Sequence, residues 1–323
     1  LINVTVNETI SGKTQIERLD RKGLVMAVGP CGLSIGVDSH AMWVPESPRA
    51  KGLSRLNALW ESRRRAILPL ALKNAPNHVH ALCADKKKDG NGTQYIEALS
   101  LGRWVAISGA AFTTGLGSNT ALGLSLLLGL ANVRLGYWWD SGVTAGNCPA
   151  TKRPNFLELA SRIVSRVLPV QTCLLNEFFA RFHGPARRQW YLSDGGHFEN
   201  TGCYEFIRRR VPFIICSDAG QDPNYEFADL ANLVRKARTD FGAEIQIVRR
   251  QADLATDDPG VRFPMPKLEE LVHPNLLDVI GTPDDFTALR ETGDDDASAE
   301  PARPRYAGKH AVLARIHYLD NDD

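Results

Sequence analysis

Asp194 is the residue whose type and position are best suited to chemistry. It lies within residues 191–200 (YLSDGGHFEN), where an apolar segment typical of a strand end meets a predicted helix. Gly195 and Gly196 allow a ligand or another backbone to approach closely, and a helix start provides amide donors and positive potential. A carboxylate in this setting can orient or deprotonate a nucleophile. We therefore predict that Asp194 is catalytic; the alternative is an aspartate that only shapes a turn.

Two further ionisable side chains could share or replace this role. His197 could act as a base, although a partly buried packing residue with one hydrogen bond is the favoured interpretation. Asp218 follows the apolar segment 212–217 and is the rival acid. Its position also suits a turn, because residues 220–223 (GQDP) are typical turn residues.

The sequence contains two candidate serine nucleophiles. Ser34 lies in residues 32–36 (GLSIG), which fit the G-x-S-x-G pattern of a nucleophile elbow. An elbow leads directly into a helix, whereas residues 37–44 are typical of a turn and a strand, so a chance match is favoured. Ser108 follows a predicted strand at 104–107 and lacks the leading glycine of an elbow. We expect Ser108 to pack rather than react.

The order of predicted elements indicates an α/β fold. Three apolar strands alternate with two helices, at residues 189–192, 200–209, 212–217, 227–238 and 243–248. Continuous apolar strands that alternate with helices are typical of a parallel sheet covered on both faces. Such sheets bind ligands at the carboxyl ends of their strands. Asp194 and Asp218 both follow ends of this kind.

The composition and net charge exclude few classes of function. The 323 residues carry a formal net charge of +1, so no electrostatic argument points to nucleic acid as a partner. Six cysteines are scattered without a C-x-x-C pair. This spacing predicts neither a zinc site nor a disulfide framework, and it favours a reducing compartment. We expect no metal and no cofactor.

The longest apolar stretch, residues 121–131, is shorter than the ~20 residues that a membrane span requires. We predict that it forms a buried helix. Tyr137, Trp138 and Trp139 follow it and could lie at a lipid interface. An aromatic cover on the protein core is the favoured interpretation of these three residues.

Five sequence blocks resemble, in the same order, the bacterial patatin-like phospholipase family, which is related to cytosolic phospholipase A2. They are residues 107–112 (ISGAAF), 132–138 (NVRLGYW), 192–200 (LSDGGHFEN), 217–220 (SDAG) and 314–318 (ARIHY). The resemblance runs from Asn3 to about Tyr318 and corresponds to the C-terminal half of the family's catalytic domain. It implies an α/β, three-layer patatin-like fold with a mostly parallel central sheet.

The same resemblance implies a serine hydrolase with a Ser/Asp dyad and no histidine. The aspartate of the family's D-G-G/A motif matches Asp194. Ser108 and Gly109 match a small-residue segment that lines the family's site, and with Gly195 and Gly196 they would contact the substrate. That substrate would be a phospholipid or another lipid ester, and a membrane surface is a candidate partner.

The sequence departs from the family pattern in two respects. The family's G-x-S-G-G elbow and its glycine-rich oxyanion loop do not occur in these 323 residues, and we expect both to precede Leu1. Residues 38–95 look longer than the family's corresponding segment and are predicted to be an insertion. Residues 262–304 are rich in proline and acidic residues, and we predict a surface excursion with an acidic loop.

The resulting prediction is a single domain over residues 1–323, the C-terminal portion of a lipid acyl hydrolase. It would supply the aspartate and a wall of the pocket, and it would be catalytically incomplete alone. Two alternatives are a non-catalytic lipid- or protein-binding module, and a self-contained esterase with Ser34 as nucleophile. We expect a cytoplasmic location, or a membrane location through regions outside this chain.

Overall fold

The computed structural model describes residues 1–10, 21–37, 39–43, 64–70, 94–97, 99–141, 167–222, 226–249, 266–282 and 311–319. The chain divides into two compact units, Leu1–Gly202 and Cys203–Asp323. The first unit contains an eight-stranded sheet and Asp194. The second contains two small sheets and Asp218.

An eight-stranded sheet forms the centre of the first unit. Its strands are β1 (Ile2–Asn7), β2 (Gly23–Val28), β3 (Gly32–Ile35), β4 (Ser39–Trp43), β5 (Arg64–Leu70), β6 (Gln94–Glu97), β7 (Tyr137–Asp140) and β8 (Gln189–Asp194). Their order in the sheet is β6-β5-β4-β3-β2-β1-β8-β7, and every neighbouring pair is antiparallel. β1 therefore lies between its sequence neighbour β2 and the distant strand β8.

The predicted three-layer α/β fold with a mostly parallel central sheet is wrong. The described sheet of the first unit is antiparallel throughout, because β1 to β4 follow one another as neighbours without helical crossovers. The apolar sequence of β8 does reflect burial on both faces, since Trp190, Tyr191, Leu192 and Ser193 are all buried. An antiparallel strand can be covered on both faces as well, so the run of apolar residues did not specify a parallel sheet.

In the described part of this unit, three α-helices accompany the sheet: α1 (Leu101–Ser108), α2 (Leu122–Leu130) and α3 (Pro169–Phe178). The prediction of a strand at residues 104–107 is wrong, because α1 covers them. Ser100 caps α1 by accepting a hydrogen bond from the Arg103 amide. Trp104 and Ile107 lie three positions apart on one side of the helix and are buried.

The prediction of a buried helix at residues 121–131 is also wrong. A helix does form there as α2, but the residues of α2 that are buried are Ser125 and Gly129. Leu122, Leu127 and Leu130 are exposed. The helix therefore turns its small and polar residues inward and its leucines outward, which is the reverse of a surface helix in a typical globular protein.

The apolar core lies on one face of the sheet. Val4, Met26 and Leu192 belong to it, together with further side chains from β1, β2, β3, β7, β8 and α1. Trp139 packs edge-on against Trp104 at 5.6 Å and against Trp190 at 5.5 Å between ring centroids. Trp139 therefore lies in the core and Tyr137 packs against it, as the favoured interpretation had it. Trp138 is not part of this core and bonds to Glu177 instead.

The second unit contains smaller elements. They are α4 (Tyr204–Arg208), α5 (Ala228–Phe241), α6 (Leu268–Leu271), β9 (Ala243–Ile247), β10 (Ile280–Gly281), β11 (Ala311–Val312) and β12 (Ala314–Tyr318). β9 pairs antiparallel with β12, and β10 pairs parallel with β11. The predicted strand at 212–217 does not form, and Phe213 and Ile215 are exposed there. The predicted helix at 227–238 is confirmed as α5.

The predicted insertion at 38–95 and the predicted surface excursion at 262–304 are described only in part. From residues 38–95, β4, β5 and the start of β6 extend the sheet, and the rest lies outside the described residues. From residues 262–304, the described part is 266–282, which contains α6 and β10. Within the described ranges, no helix has both the length and the apolar character needed to cross a membrane.

Replacement of Trp139 tests the packing of the first unit. Trp139→Ala removes a fully buried ring between two other indoles, so we expect the free energy of unfolding to fall by about 3–5 kcal/mol. Leu101→Ala is the control, because Leu101 is exposed on α1, and it should change stability by less than about 0.5 kcal/mol. Denaturant titration measures both; equal effects would contradict the described core.

Candidate active site

Asp194 is the last residue of β8, and the turn that follows it holds its carboxylate. Val4 of β1 pairs directly with Asp194. The chain then forms a short 3₁₀ helix, Gly195–His197, and one carboxylate oxygen of Asp194 accepts a hydrogen bond from the Gly196 amide at 2.8 Å. The other oxygen makes no hydrogen bond to any residue that the structure describes. Asp194 thus presents a half-buried carboxylate that is oriented by the backbone, with one oxygen that no described residue engages.

Gly195 is required by close packing against β1, and Gly196 packs against the side chain of Asn200. A Cβ atom on Gly195 would lie 2.5 Å from the Asn3 carbonyl oxygen, and one on Gly196 would lie 2.8 Å from the Asn200 side-chain oxygen. The close approach predicted for this turn is therefore made by the protein's own backbone. Any larger residue at position 195 would push the turn away from β1 and move the Asp194 carboxylate with it.

Ser108 lies in the same neighbourhood. Its hydroxyl donates a hydrogen bond to the Asn3 carbonyl oxygen at 2.7 Å, the atom against which Gly195 packs. Gly109 caps the end of α1, and a side chain there would meet open space apart from one backbone oxygen at 3.9 Å. Ser108 and the Asp-Gly-Gly turn, predicted separately from the sequence, are therefore brought together at Asn3.

His197 is held in one tautomer by a chain of hydrogen bonds. Its Nε2 lies 3.1 Å from the Ala111 carbonyl oxygen, which can only accept, so Nε2 carries the proton. Nδ1 of the neutral ring then accepts from Ser193 Oγ at 2.9 Å. Ser193 Oγ in turn accepts from the Asn7 amide at 2.8 Å. Both ring nitrogens are engaged, so this arrangement favours the packing role for His197 over a role as base.

Burial lowers the pKa of His197 below its ordinary value. The charge of Asp194 and the hydrogen bond to Ala111 oppose this shift but do not cancel it. The ring therefore stays neutral at physiological pH. A neutral ring is what the hydrogen-bond chain requires, because a protonated Nδ1 could no longer accept from Ser193.

Ser34 is not brought to Asp194. It lies on β3, opposite His40 of β4, and its Oγ is 3.0 Å from His40 Nδ1. Two complete strands, β2 and β1, separate β3 from β8, a distance of roughly 14 Å across the sheet. Ser34 is also buried inside a strand, with no helix directly after it. The geometry therefore does not support an esterase built from Ser34 and Asp194.

Asp218, the rival acid, belongs to the second unit and is exposed. Its Oδ1 accepts from the Gly220 amide at 3.0 Å, the same two-residue pattern that holds Asp194. Nearby acidic side chains line a shallow cavity of about 210 Å³ with it. In the described part of the chain, no three His, Cys, Asp or Glu side chains are grouped so as to hold a metal ion.

A buried acid that the sequence did not single out lies on the other face of β8. Glu177 of α3 is buried, and its Oε1 accepts from the Trp138 indole at 2.8 Å. Its Oε2 is 3.3 Å from Thr114 Oγ1 and 3.5 Å from Arg134 Nη1. Burial raises the pKa of Glu177, and these hydrogen bonds and the arginine oppose the increase. The available signal was a single acidic residue within an otherwise uncharged helix.

Glu177 also lines a cavity of about 370 Å³ in the first unit. Arg134, Trp138, Val170 and Leu174 contribute to its wall, which is mostly apolar with a few polar groups. Volume and lining of this kind are typical of small-molecule sites. Asp194 and Ser108 are not among its lining residues, so the cavity and the Asp194 turn are separate features.

Comparison with known proteins adds no relative. No protein-family model, no characterised protein and no solved structure matches this chain. The resemblance to patatin-like phospholipases in five sequence blocks therefore stays a proposal. The functional case for Asp194 depends on the hydrogen bonds and packing described above.

The neutral state of His197 predicts a pH dependence of stability. Because the pKa is lowered in the folded state, the unfolded chain binds the proton more readily once the pH falls below the ordinary value. The free energy of unfolding is therefore at its full value above the ordinary pKa and decreases as the pH falls toward the lowered pKa. His197→Gln should reduce this decrease between pH 7.5 and pH 5, as measured by urea titration. An unchanged pH dependence in the variant would contradict a buried neutral ring.

Glu177 predicts a pH dependence of stability opposite to that of His197. Its pKa is raised in the folded state, so the folded chain binds the proton more readily, and stability decreases as the pH rises from the ordinary carboxyl value through the raised one. Glu177→Gln should weaken that decrease, measured by thermal unfolding across this range. Glu269→Gln is the control for removal of an acidic side chain, because Glu269 is exposed, and it is compared over the same pH range. Coincident profiles for wild type and Glu177→Gln would show that burial does not perturb this acid.

Proposed function

We propose that this chain belongs to a lipid acyl hydrolase in which Asp194 accepts the proton of a serine nucleophile. The observation that carries the proposal is the state of the Asp194 carboxylate. One oxygen is held by the Gly196 amide at 2.8 Å, and the other makes no hydrogen bond within the described ranges. A carboxylate that is oriented in this way, and is not neutralised by an ion pair with a described residue, suits a general base.

In the proposed reaction, the serine oxygen attacks the ester carbonyl carbon while its proton passes to Asp194. The tetrahedral intermediate collapses, and the alcohol portion of the lipid leaves with that proton. Water then attacks the acyl-enzyme and gives a proton to Asp194, which returns it to the serine as the fatty acid is released. Ser108, Gly109 and the Gly195–Gly196 backbone form the wall beside the carboxylate in this scheme.

The nucleophile is not assigned to the serines around Asp194. Ser193 Oγ is already engaged with Asn7 and His197, and the Ser108 hydroxyl donates to Asn3. The proposal therefore requires a serine other than Ser34, Ser108 and Ser193, as in the elbow of the family that the sequence blocks resemble. It rests on the site and not on the sheet, because the same chemistry occurs on unrelated folds.

A non-catalytic lipid-binding module is the second candidate function. It is favoured by one observation, the unusually exposed leucines of α2. In this alternative, Asp194 only shapes the turn and the Gly196 hydrogen bond is its whole role. The two functions differ in whether removal of the negative charge at position 194 affects hydrolysis.

Replacement of Asp194 separates the two functions. Asp194→Asn keeps a side-chain oxygen that can accept from the Gly196 amide but removes the base. We expect hydrolysis of p-nitrophenyl butyrate by the full-length protein to decrease by about 10²- to 10⁴-fold, with little change in melting temperature. Asp218→Asn is the matched control, since Asp218 makes the same hydrogen bond to a glycine two residues on, and it should retain activity.

Full activity in Asp194→Asn would remove Asp194 from the mechanism. An inactive wild-type protein that still binds lipid would favour the binding module. Equal losses in Asp194→Asn and Asp218→Asn would indicate a general effect of charge and would contradict the assignment.

A further inference from the structure

The helix α2 buries small or polar residues and exposes apolar ones. Its buried residues are Ser125, whose hydroxyl donates to the Thr114 carbonyl oxygen at 2.6 Å, and Gly129. Its exposed large side chains are all leucines: Leu122, Leu124, Leu126, Leu127 and Leu130. The helix contains no charged residue. Exposed leucines normally weaken a protein's solubility, so this arrangement requires a specific explanation.

The exposed leucines surround the helix too widely for one flat partner. Successive residues of an α-helix are about 100° apart, so the five leucines span an arc of about 200° around α2. A protein surface that packs on one side covers a narrower stripe than this. A fluid apolar phase can surround the whole arc. Apolar residues over most of a helix circumference are typical of immersion in a core or a membrane.

The helix α3 extends this surface. Among the 19 residues of α2 and α3 the single charged residue is Glu177, and it is buried. Val170 and Leu175 are exposed on α3. The two helices approach closely, because a Cβ atom on Gly129 would lie 2.6 Å from the Phe178 ring. We call the exposed apolar side chains of α2 and α3 the leucine surface.

Basic residues lie beyond the ends of both helices. Arg134 follows α2 and Arg181 follows α3, and the Arg134 guanidinium is 3.5 Å from Glu177 near the end of α3. Arg181 is exposed. Apolar side chains next to arginines match the order of a bilayer, in which acyl chains lie below anionic headgroups.

We propose that the leucine surface inserts into one leaflet of a phospholipid bilayer, with Arg181 at the level of the headgroup phosphates. A helix of nine residues is about 13.5 Å long, less than half of the hydrocarbon thickness, so α2 lies within the interface and does not cross it. This inference uses only the exposed side chains and does not require Asp194 to be catalytic.

Vesicle flotation of the full-length protein tests the proposal. The probes are vesicles of phosphatidylcholine and vesicles of phosphatidylcholine mixed with phosphatidylserine. We expect the protein to float with both, more strongly with the mixture. The double variant Leu127→Asn, Leu130→Asn changes side chains that are 63% and 72% exposed, so it should fold normally and bind vesicles at least about tenfold less. Arg181→Gln should lower the ratio of binding to the anionic mixture over binding to phosphatidylcholine by about fivefold.

The matched control lies on α1. Leu101→Asn, Val105→Asn alters two side chains that are 72% and 55% exposed, on a helix whose surface also carries Arg103. It removes similar exposed apolar area but should leave vesicle binding within about twofold. Circular dichroism and the unfolding midpoint confirm that both double variants remain folded.

Three outcomes would overturn the proposal. One is no flotation of the wild-type protein with either vesicle; another is an equal loss of binding in both double variants. The third is a dimer in sedimentation that Leu127→Asn, Leu130→Asn dissociates without lipid, because the leucine surface would then contact a second copy. Since flotation is measured without hydrolysis and p-nitrophenyl butyrate is soluble, failure of docking and failure of the proposed activity are distinguishable.

Discussion

The pairing of β1 with β8 holds the candidate site together. Val4 and Asp194 are register partners although they are 190 positions apart in the chain. Next to this pair, the carbonyl oxygen of Asn3 accepts from the Ser108 hydroxyl and packs against Gly195. One end of β1 therefore positions both the turn that carries the carboxylate and the end of α1. If β1 were displaced, the Asp194 carboxylate would lose its position even though its own turn remained intact.

The two faces of β8 make different kinds of contact. On one face, Leu192 belongs to the apolar core, whose burial stabilises the first unit. On the other, Tyr191 and Ser193 join hydrogen-bond networks that reach Glu177 and His197. Buried polar groups are costly unless they are paired, and these pairings fix the rotamer and tautomer of each member. These contacts hold β8 in place, and so they also hold the backbone of Asp194 at the end of the strand.

Sequence predicted the elements near the site better than their arrangement. The strand predicted at 189–192 was recognisable because Trp190, Tyr191 and Leu192 form an apolar run that turn residues follow. The parallel sheet was not, because strand pairing is decided by distant segments such as β1. The strand predicted at 104–107 failed because a short apolar run fits either period, and Ser100 was the overlooked helix cap. The composition of α2 indicated burial, but it could not show that Ser125 and Gly129 would face inward.

The central claim is that the Asp194 carboxylate activates a serine. The most direct measurement is the rate at which a fluorophosphonate labels the full-length protein, with the modified residue identified by mass spectrometry. The account predicts one labelled serine, and labelling at least about a hundredfold slower in Asp194→Asn. A serine labelled equally fast in both proteins, or no labelled serine in the wild-type protein, would contradict it.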